Sequence, residues 1–507
     1  MPSAVNNWDT PEFSEVLSAL LQAEQPLYVV GGAVRDHLLG QARGVTDLDL
    51  ALAGPVLPLA RRVADRLGWA YYPLDTERDV ARIVLNRSDG TPLVCDLAAL
   101  RGDLATDLAL RDFTVNALAL EVRSGAEPRL IDLCGGVEDL RSRQIRVVGR
   151  ESLAQDPIRL LRAVRFARQL GFALERESEA QIVELAGMTA QVSAERQRDE
   201  LWKILALSHP GAGMAELHRL GLLVHVLPEA GALERIEQSP PHHLDVFGHT
   251  VQVMNYAAAL REWLLGDDGA LPEGDLAGLL IPRQDYLRGH FAEELNAGRN
   301  RAEWLVWHAL FHDTGKPGTY SEEFDSDGSR RIRFFGHEEI SATLAESRSL
   351  ALRFSRRESQ VAQAVAASHM RPHHLADSFP NGRISRRACY RFLRATATGG
   401  RGDRTGLDVL LVALADRQAP GKARGGRWRE YLTGVATLLD FSREATPTLT
   451  QTLVDGNTLL RAFDLTPGRI VGLLLESIAE AQAAGEVRSE SEALALAATL
   501  LAQQSDQ

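Results

Sequence analysis

Asp47 and Asp49 stand two apart in the run Asp47-Leu-Asp-Leu-Ala-Leu, and a period of two puts both carboxylates on one face of a strand. Two carboxylates so spaced can hold Mg²⁺ between a nucleophile and a leaving phosphate, which phosphoryl and nucleotidyl transfer require. Upstream, Gly31 and Gly32 end a strand-like run and precede a helical one, so their backbone amides can meet a triphosphate, with Arg35 as an added cation. A DxD alone is common on solvated strands, and a Gly-Gly pair alone is usually a turn. Their closeness in one short stretch is the stronger signal.

These residues need a sheet to hold them. Pro26 to Gly32 reads as a buried strand ending in glycines and Ala33 to Leu39 as the helix after it. Ala81 to Asn86 and Pro92 to Leu97 read as two more strands, joined by the turn-forming Arg87-Ser-Asp-Gly-Thr. From Leu153 onward apolar residues recur at helical spacing, interrupted by an acidic Gly/Pro stretch, Gly266 to Pro282, and by a basic linker, Ala419 to Arg427. The expectation is an α+β chain, a small mixed head followed by a long helical body, with no internal repeat.

Composition narrows the classes. The 507 residues are 45% hydrophobic and 24% charged, an ordinary globular balance that excludes wholesale disorder and fibres. No apolar run is long enough to span a bilayer, and the start MPSAVNNWDTPEF lacks a signal peptide's basic and apolar regions. Cys95, Cys134 and Cys389 are scattered and odd in number, which predicts a reducing cytoplasm and no thiolate zinc cluster. The net charge of −12 disfavours a protein that coats nucleic acid. Yet eight arginines fall between Arg141 and Arg168 and seven between Arg383 and Arg404, so two basic faces are expected to make a few defined phosphate contacts. Solvated helix faces would look the same.

Tyr28-Val-Val-Gly-Gly-Ala-Val-Arg-Asp36 with Thr46-Asp-Leu-Asp-Leu50 resembles the signature of class II tRNA nucleotidyltransferases and the related bacterial poly(A) polymerases. Further motifs follow in the family's order: Arg111-Asp-Phe-Thr-Val-Asn-Ala-Leu118, Asp132-Leu-Cys-Gly-Gly-Val-Glu-Asp-Leu140, Asp156-Pro-Ile-Arg-Leu-Leu-Arg-Ala-Val-Arg-Phe166 and Glu195-Arg-Gln-Arg-Asp-Glu-Leu201. The resemblance implies a polymerase-β-like head in which Asp47 and Asp49 bind Mg²⁺, and Arg111, Asp112 and Asn116 lie in the motif that contacts ribose and phosphates. Asp96, between apolar neighbours on a later strand, is a third acidic candidate for the same face, although a lone strand Asp is more often simply exposed.

Asp156 and Arg159 are three apart at a helix start, hence on one face. An arginine fork can donate to a pyrimidine's ring nitrogen and carbonyl while a carboxylate accepts from its amino group, so the pair can select CTP without a nucleic-acid template. The alternative is an ordinary N-cap, Asp before Pro157, with Arg159 merely exposed. Arg162 and Arg165 continue the spacing and suit phosphates. Gln155 stands where the family usually has Glu.

In the second half, His249, then His312-Asp313-Thr-Gly-Lys316, then Asp416 resemble the HD metal-dependent phosphohydrolase pattern, with His337 and His369 where two-metal members carry further histidines. The resemblance implies Mg²⁺ or a divalent transition metal there, and Lys316 beside a phosphate. His242, His243, His373 and His374 read as surface residues. Near the end, Thr466-Pro-Gly-Arg469 precedes an apolar helix whose N-terminus either meets a tRNA phosphate or simply packs.

The expected domains are a nucleotidyltransferase head over 1–140, a helical neck over 141–225, an HD domain over 226–440 and a helical tail over 441–507. The expected activity is CTP-dependent addition of two cytidines to tRNA 3′ ends, with an HD hydrolase attached and no membrane partner. Alternatives are a full CCA-adding enzyme that also uses ATP, a poly(A) polymerase, and an RNA-binding protein with a silent head. The family's switch from CTP to ATP is attributed to a flexible loop after the first motif. Here only Leu97 to Leu110 separates Asp96 from Arg111, and its apolar spacing reads as a helix leading straight into the second motif. This favours CC addition, with a separate enzyme adding the final A.

Overall fold

A computed structural model describes residues 10–505 except 41–45, 88–89, 241, 267–273, 297, 380–381, 401, 420–425 and 445–451. The expected basic linker lies largely outside the described residues, as does part of the acidic stretch. The chain divides into two compact units, Met1–Val192 with Leu220–Leu222, and Ser193–Arg219 with Leu223–Gln507.

The first unit is built on a seven-stranded sheet: β1 (Leu27–Val30), β2 (Asp47–Leu52), β3 (Ala70–Asp75), β4 (Val80–Asn86), β5 (Pro92–Ala99), β6 (Leu118–Arg123) and β7 (Ala126–Asp132), in the order β3-β4-β5-β2-β1-β6-β7. Only the β2–β5 pair is parallel; the remaining neighbours are antiparallel. In β2 the even positions Leu48, Leu50 and Leu52 are buried, while Asp47 and Asp49 look out on the other face. The expected strands are present. The strands β3, β6 and β7 were not among them; the edge strand β3 has no buried residue and carries Pro73, which sits at a register shift as an edge position allows.

The stretch from Leu97 to Leu110 differs from its expectation. β5 runs on to Ala99, Asp103 caps a new helix by accepting from Thr106 N at 2.8 Å, and only Leu104–Ala109 is helical. Leu108 of that helix packs with Val30, Ala51 and Ala119, on the sheet face that carries Asp47 and Asp49.

Among the described residues the second unit is helical apart from two hairpins, one of them Tyr320–Phe324 with Arg330–Phe334. That hairpin escaped the sequence reading because half of its strand residues are charged and Ile332 alone among them is buried. The helices that matter for the site are Val246–Leu264, Arg301–Phe311, His337–Ala351, Arg356–Ser368 and Thr405–Gln418. Trp263, Trp304 and Trp307 are fully buried among them. The tail helices Gly456–Phe463, Arg469–Ala484 and Glu490–Ser505 share an apolar cluster centred on Leu459, Leu474 and Ile478.

The second arginine cluster is not a free basic face. Arg391 pairs with Glu480 at 2.8 Å and Arg394 with Glu476 at 3.5 Å on the tail helix Arg469–Ala484, Arg387 with Glu486 just beyond it and Arg386 with Glu444 at 3.2 Å, so the helix Arg386–Thr396 pairs its cations with glutamates. No described helix is long and apolar enough to cross a membrane.

Candidate functional site

β2 and β5 run in parallel register, Asp49 beside Asp96 and Asp47 beside Val94, so three acidic side chains share one face. Crowding by the surrounding protein, the charge of Asp96 and the charge of Asp47 push the Asp49 carboxyl above the ordinary range, against the pull of Arg111 and Arg82. A bound cation would relieve that repulsion, so the donor set fits a divalent ion. Asp96 differs from the pair in holding its own counter-ion. Arg82, opposite it across the β4–β5 hairpin, donates to both its oxygens at 2.7 and 2.8 Å.

Gly31 ends β1 with φ +74° and ψ −133°, a conformation that suits glycine. A Cβ there would lie 3.1 Å from Arg111 Nη1 and 3.6 Å from Asp49 Oδ2, so the backbone passes directly beside the carboxylates. The helix Gly32–Leu38 begins at this point.

The second and fourth motifs are one buried polar network. Arg35 donates to Asn116 Oδ1 at 2.7 Å, and Asn116 Nδ2 donates to Asp112 Oδ1 at 3.2 Å. Asp112 also takes Arg162 through two nitrogens onto Oδ2 at 2.9 and 2.6 Å. Burial alone would raise the Asp112 carboxyl; Arg162 and the hydrogen bonds hold it below the ordinary range. Arg35, Arg162 and Arg165 all lie over the ring of Phe166, at 5.2, 5.2 and 4.0 Å.

Asp156 is extended, with Pro157 at the cap of the helix Ile158–Leu170. Arg159 faces the second motif. Its Nη2 donates to the Leu110 carbonyl at 2.8 Å, and its Nη1 reaches the Arg111 carbonyl at 3.3 Å and Ser152 Oγ at 2.5 Å. Within the first arginine cluster Arg159, Arg162 and Arg165 serve this network and Arg146 chelates Asp139, whereas Arg141, Arg143, Arg150 and Arg168 are exposed. Asp107 was missed by the sequence reading. It is buried, accepts from Arg101 at 2.8 Å and from Arg111 at 3.3 Å, and so ties the β5-to-helix connection to the site. Its i, i+4 spacing to Arg111 was the available signal.

In the second unit, His249, His312 and Asp313 form one group of close donor atoms, and Asp313, His337 and His369 another. Helix ends build both. His312 and His369 follow the helices Arg301–Phe311 and Arg356–Ser368, and their Nδ1 atoms lie 2.7 and 2.8 Å from the Ala309 and Ala366 carbonyls. His337 Nδ1 likewise lies 2.8 Å from the Phe334 carbonyl. A carbonyl can only accept, so each Nδ1 carries the proton and each Nε2 turns a lone pair inward.

Those lone pairs converge. His337 Nε2 and His369 Nε2 are 3.3 Å apart, and His312 Nε2 is buried without a hydrogen-bond partner. Such an arrangement is unfavourable without a cation between the nitrogens, so the residues fit a metal. Asp313 serves both groups. Its Oδ1 lies 3.2 Å from His337 and its Oδ2 lies 3.1 Å from His312 and 2.7 Å from Lys316 Nζ. Asp416 completes the first group at 2.9 Å from His249. Burial would raise both carboxyls, but the contacts of His312 and Lys316 at Asp313, and the hydrogen bonds of His249 and His373 at Asp416, hold them well below the ordinary range.

Two histidines expected at the surface are part of this centre. His373 is buried, lies 3.0 Å from Asp416 Oδ2 and stacks on Tyr431; its helical spacing from His369 was a readable cue. The His242 ring sits 4.9 Å from that of His249, and burial, with His249 and Lys316 beside it, pushes its pKa down to about 4.

Comparison with known proteins agrees with this division of labour. The family described as "Poly A polymerase head domain" matches residues 27–146, "Probable RNA and SrmB- binding site of polymerase A" matches 171–233, and "HD domain" matches 246–420. An A-adding tRNA nucleotidyltransferase of Deinococcus radiodurans is 33% identical over 92% of this chain and 94% of its own length. A CC-adding tRNA nucleotidyltransferase of Thermus thermophilus is 32% identical over 92% of each chain. Among solved structures, a CCA-adding enzyme with ATP covers 97% of this chain and 95% of its own at a TM-score of 0.61 and 21% identity, a likeness of fold. The chain belongs to the tRNA nucleotidyltransferase family.

Proposed function

We propose that the head adds two cytidines to the 3′ end of tRNA from CTP, and stops there. The observation that carries the choice is the connection from β5 to the helix Leu104–Ala109. It is four residues long, with Leu100 N bonded to the Leu52 carbonyl at 2.9 Å and Arg101 clamped on Asp107. That leaves no slack for a lever that would re-aim the template from cytosine to adenine. Asp47 and Asp49 would hold Mg²⁺, which when bound would offset the negative charge of the triphosphate and acidify the attacking 3′ hydroxyl. Arg35, Arg111 and the amides at Gly31 and Gly32 orient the phosphates, the Asp112–Asn116–Arg162 network sets the ribose and phosphate contacts, and Asp156 with Arg159 reads the base. Reading the base requires Arg159 to exchange the Leu110 and Arg111 carbonyls for cytosine, which couples nucleotide entry to the connection itself. Asp96, paired with Arg82, tunes Asp49 through its charge.

The similarity to an A-adding relative over nearly the whole chain supports a second reading, addition of the terminal A alone. One experiment separates them. Transcripts ending at the discriminator base, or one or two cytidines beyond it, are given CTP and ATP together and sequenced at their 3′ ends. Products ending in CC support the proposal, products ending in CCA overturn it, and extension only of the CC-ended transcript establishes the second reading.

The HD centre is proposed to hydrolyse phosphoesters, including 2′,3′-cyclic ends of RNA, with divalent metal held by His249, His312, Asp313, His337, His369 and Asp416. His312→Ala/Asp313→Ala should lose bound metal and hydrolysis while cytidine addition persists; retention of both would refute the assignment.

A further inference from the structure

The two most exposed large apolar side chains among the described residues are Phe335, 71% exposed, and Phe324, 68% exposed, both belonging to the hairpin region beside the HD centre. Phe335 stands two residues before the candidate ligand His337, a span of at most about 7 Å of backbone. It is presented from a fixed base. The Phe334 carbonyl bonds His337 Nδ1, and the Phe334 ring lies 5.2 Å from Lys316 Nζ and 5.9 Å from the Tyr320 ring. Ile332 N donates to Ser239 Oγ at 2.7 Å, and Arg330 pairs with Glu237 at 2.9 Å. Gly336, at φ +75°, turns the chain from strand into helix and leaves the Phe335 ring outside both.

A phenylalanine held in water forgoes the stabilisation that burial would bring. Ile340, 37% exposed, is the nearest exposed apolar residue in sequence. The spot is far smaller than a stable protein interface, which takes about 800 Å² from each partner. A single aromatic face beside a centre suited to phosphate chemistry matches one nucleobase, because every base offers a π-face to stack.

We propose that Phe335 is a stacking platform for a nucleobase, so that the HD centre takes ribonucleotide phosphoesters in preference to phosphoesters lacking a base. The phosphate would meet the divalent metal that Asp313, His337 and His369 would hold, with Lys316 close to Asp313 to balance its charge. This rests on the hydrolytic reading of that centre and names the residue that sets its specificity.

The full-length protein, loaded with Mn²⁺, is given adenosine 2′,3′-cyclic phosphate and the abasic ribose 2′,3′-cyclic phosphate. In Phe335→Ala the ratio of kcat/KM for the nucleotide over the abasic ester should fall about five- to 150-fold, while Phe335→Trp keeps it. An unchanged ratio in Phe335→Ala overturns the proposal. Metal content measured alongside reports any collapse of the centre. A second measurement is independent of turnover: an RNA oligomer ending in 4-thiouridine 3′-phosphate is photocrosslinked to the wild-type protein and the adducts mapped. An adduct at Phe335 supports the platform, and adducts confined to residues 1–192 overturn it. If neither ester is hydrolysed, the hydrolytic reading fails, and the crosslink alone decides the platform.

Discussion

Gly31→Ala tests how tightly the backbone is threaded past the two carboxylates. At φ +74° and ψ −133° an L side chain is strained, and its Cβ would meet Arg111 Nη1 at 3.1 Å and Asp49 Oδ2 at 3.6 Å. Holding a non-glycine residue in such a region costs about 1–3 kcal/mol. A domain of ordinary stability survives that loss, so the variant should fold. The strain is relieved by rotating the Gly31–Gly32 peptide, which moves the amides at the helix start, or by displacing Arg111. Misplacement on the order of 1 Å costs about 100-fold in rate, and a partial shift correspondingly less. The expected loss in kcat/KM for cytidine addition is therefore about 10- to 100-fold. Gly68→Ala is the matched control, since Gly68 has φ +72° at the end of the helix Leu57–Leu67 with nothing within 4 Å of its Cβ position. It should lose about 1 kcal/mol of stability and keep its activity. The assay is single-turnover incorporation of labelled CTP into tRNA, with thermal unfolding of both variants. If Gly31→Ala unfolds like Gly68→Ala and keeps more than about a third of the wild-type rate, against the loss worked out above, the close-approach argument is wrong.

Asp47→Ala and Asp49→Ala should each cut incorporation by about 1,000-fold or more, with tRNA affinity in a filter-binding assay within about threefold, because the carboxylates act on developing charge rather than on the tRNA. The Asp49 carboxyl is raised above its unfolded value, so its ionisation on raising the pH costs the folded state stability that was present at lower pH. Two consequences follow for measurement: Asp49→Asn should raise the melting temperature at neutral pH, and Asp96→Asn should move the acid limb of the activity profile to lower pH. Asp313→Asn, which touches both donor groups, should reduce bound divalent metal more than Asp416→Asn does, as read by atomic emission after dialysis. Reversing Arg391 and Arg394 to Glu should speed hydrogen exchange in the helix Arg469–Ala484, by the loss of pairs each contributing about 0–1 kcal/mol.

The residues alone determined a good deal here. A strand's period of two aligned Asp47 with Asp49, the glycines announced a turn into a helix, and the ordered motifs carried the family. The hairpin joining β4 to β5 even made the Arg82–Asp96 pairing computable, since Asn86 opposite Pro92 sets the register of every pair beyond it. What the tertiary structure decided is where side chains end. Arg159 was readable as a base-selecting fork or an exposed arginine, yet it turns inward because carbonyls from Leu110 and Arg111, distant in sequence, lie within its reach. The arginines of the helix Arg386–Thr396 looked like a face for phosphate and instead meet glutamates about ninety residues on, because helix packing brings two surfaces of opposite charge together. His373 and His242 joined the HD centre for the same reason: local spacing states which face a residue occupies, and only packing states what that face meets. The inward lone pairs of His312, His337 and His369 show both at work. The residue types were plain in the chain, but their orientation comes from the carbonyl each Nδ1 finds three residues back, once a helix or a strand has ended there.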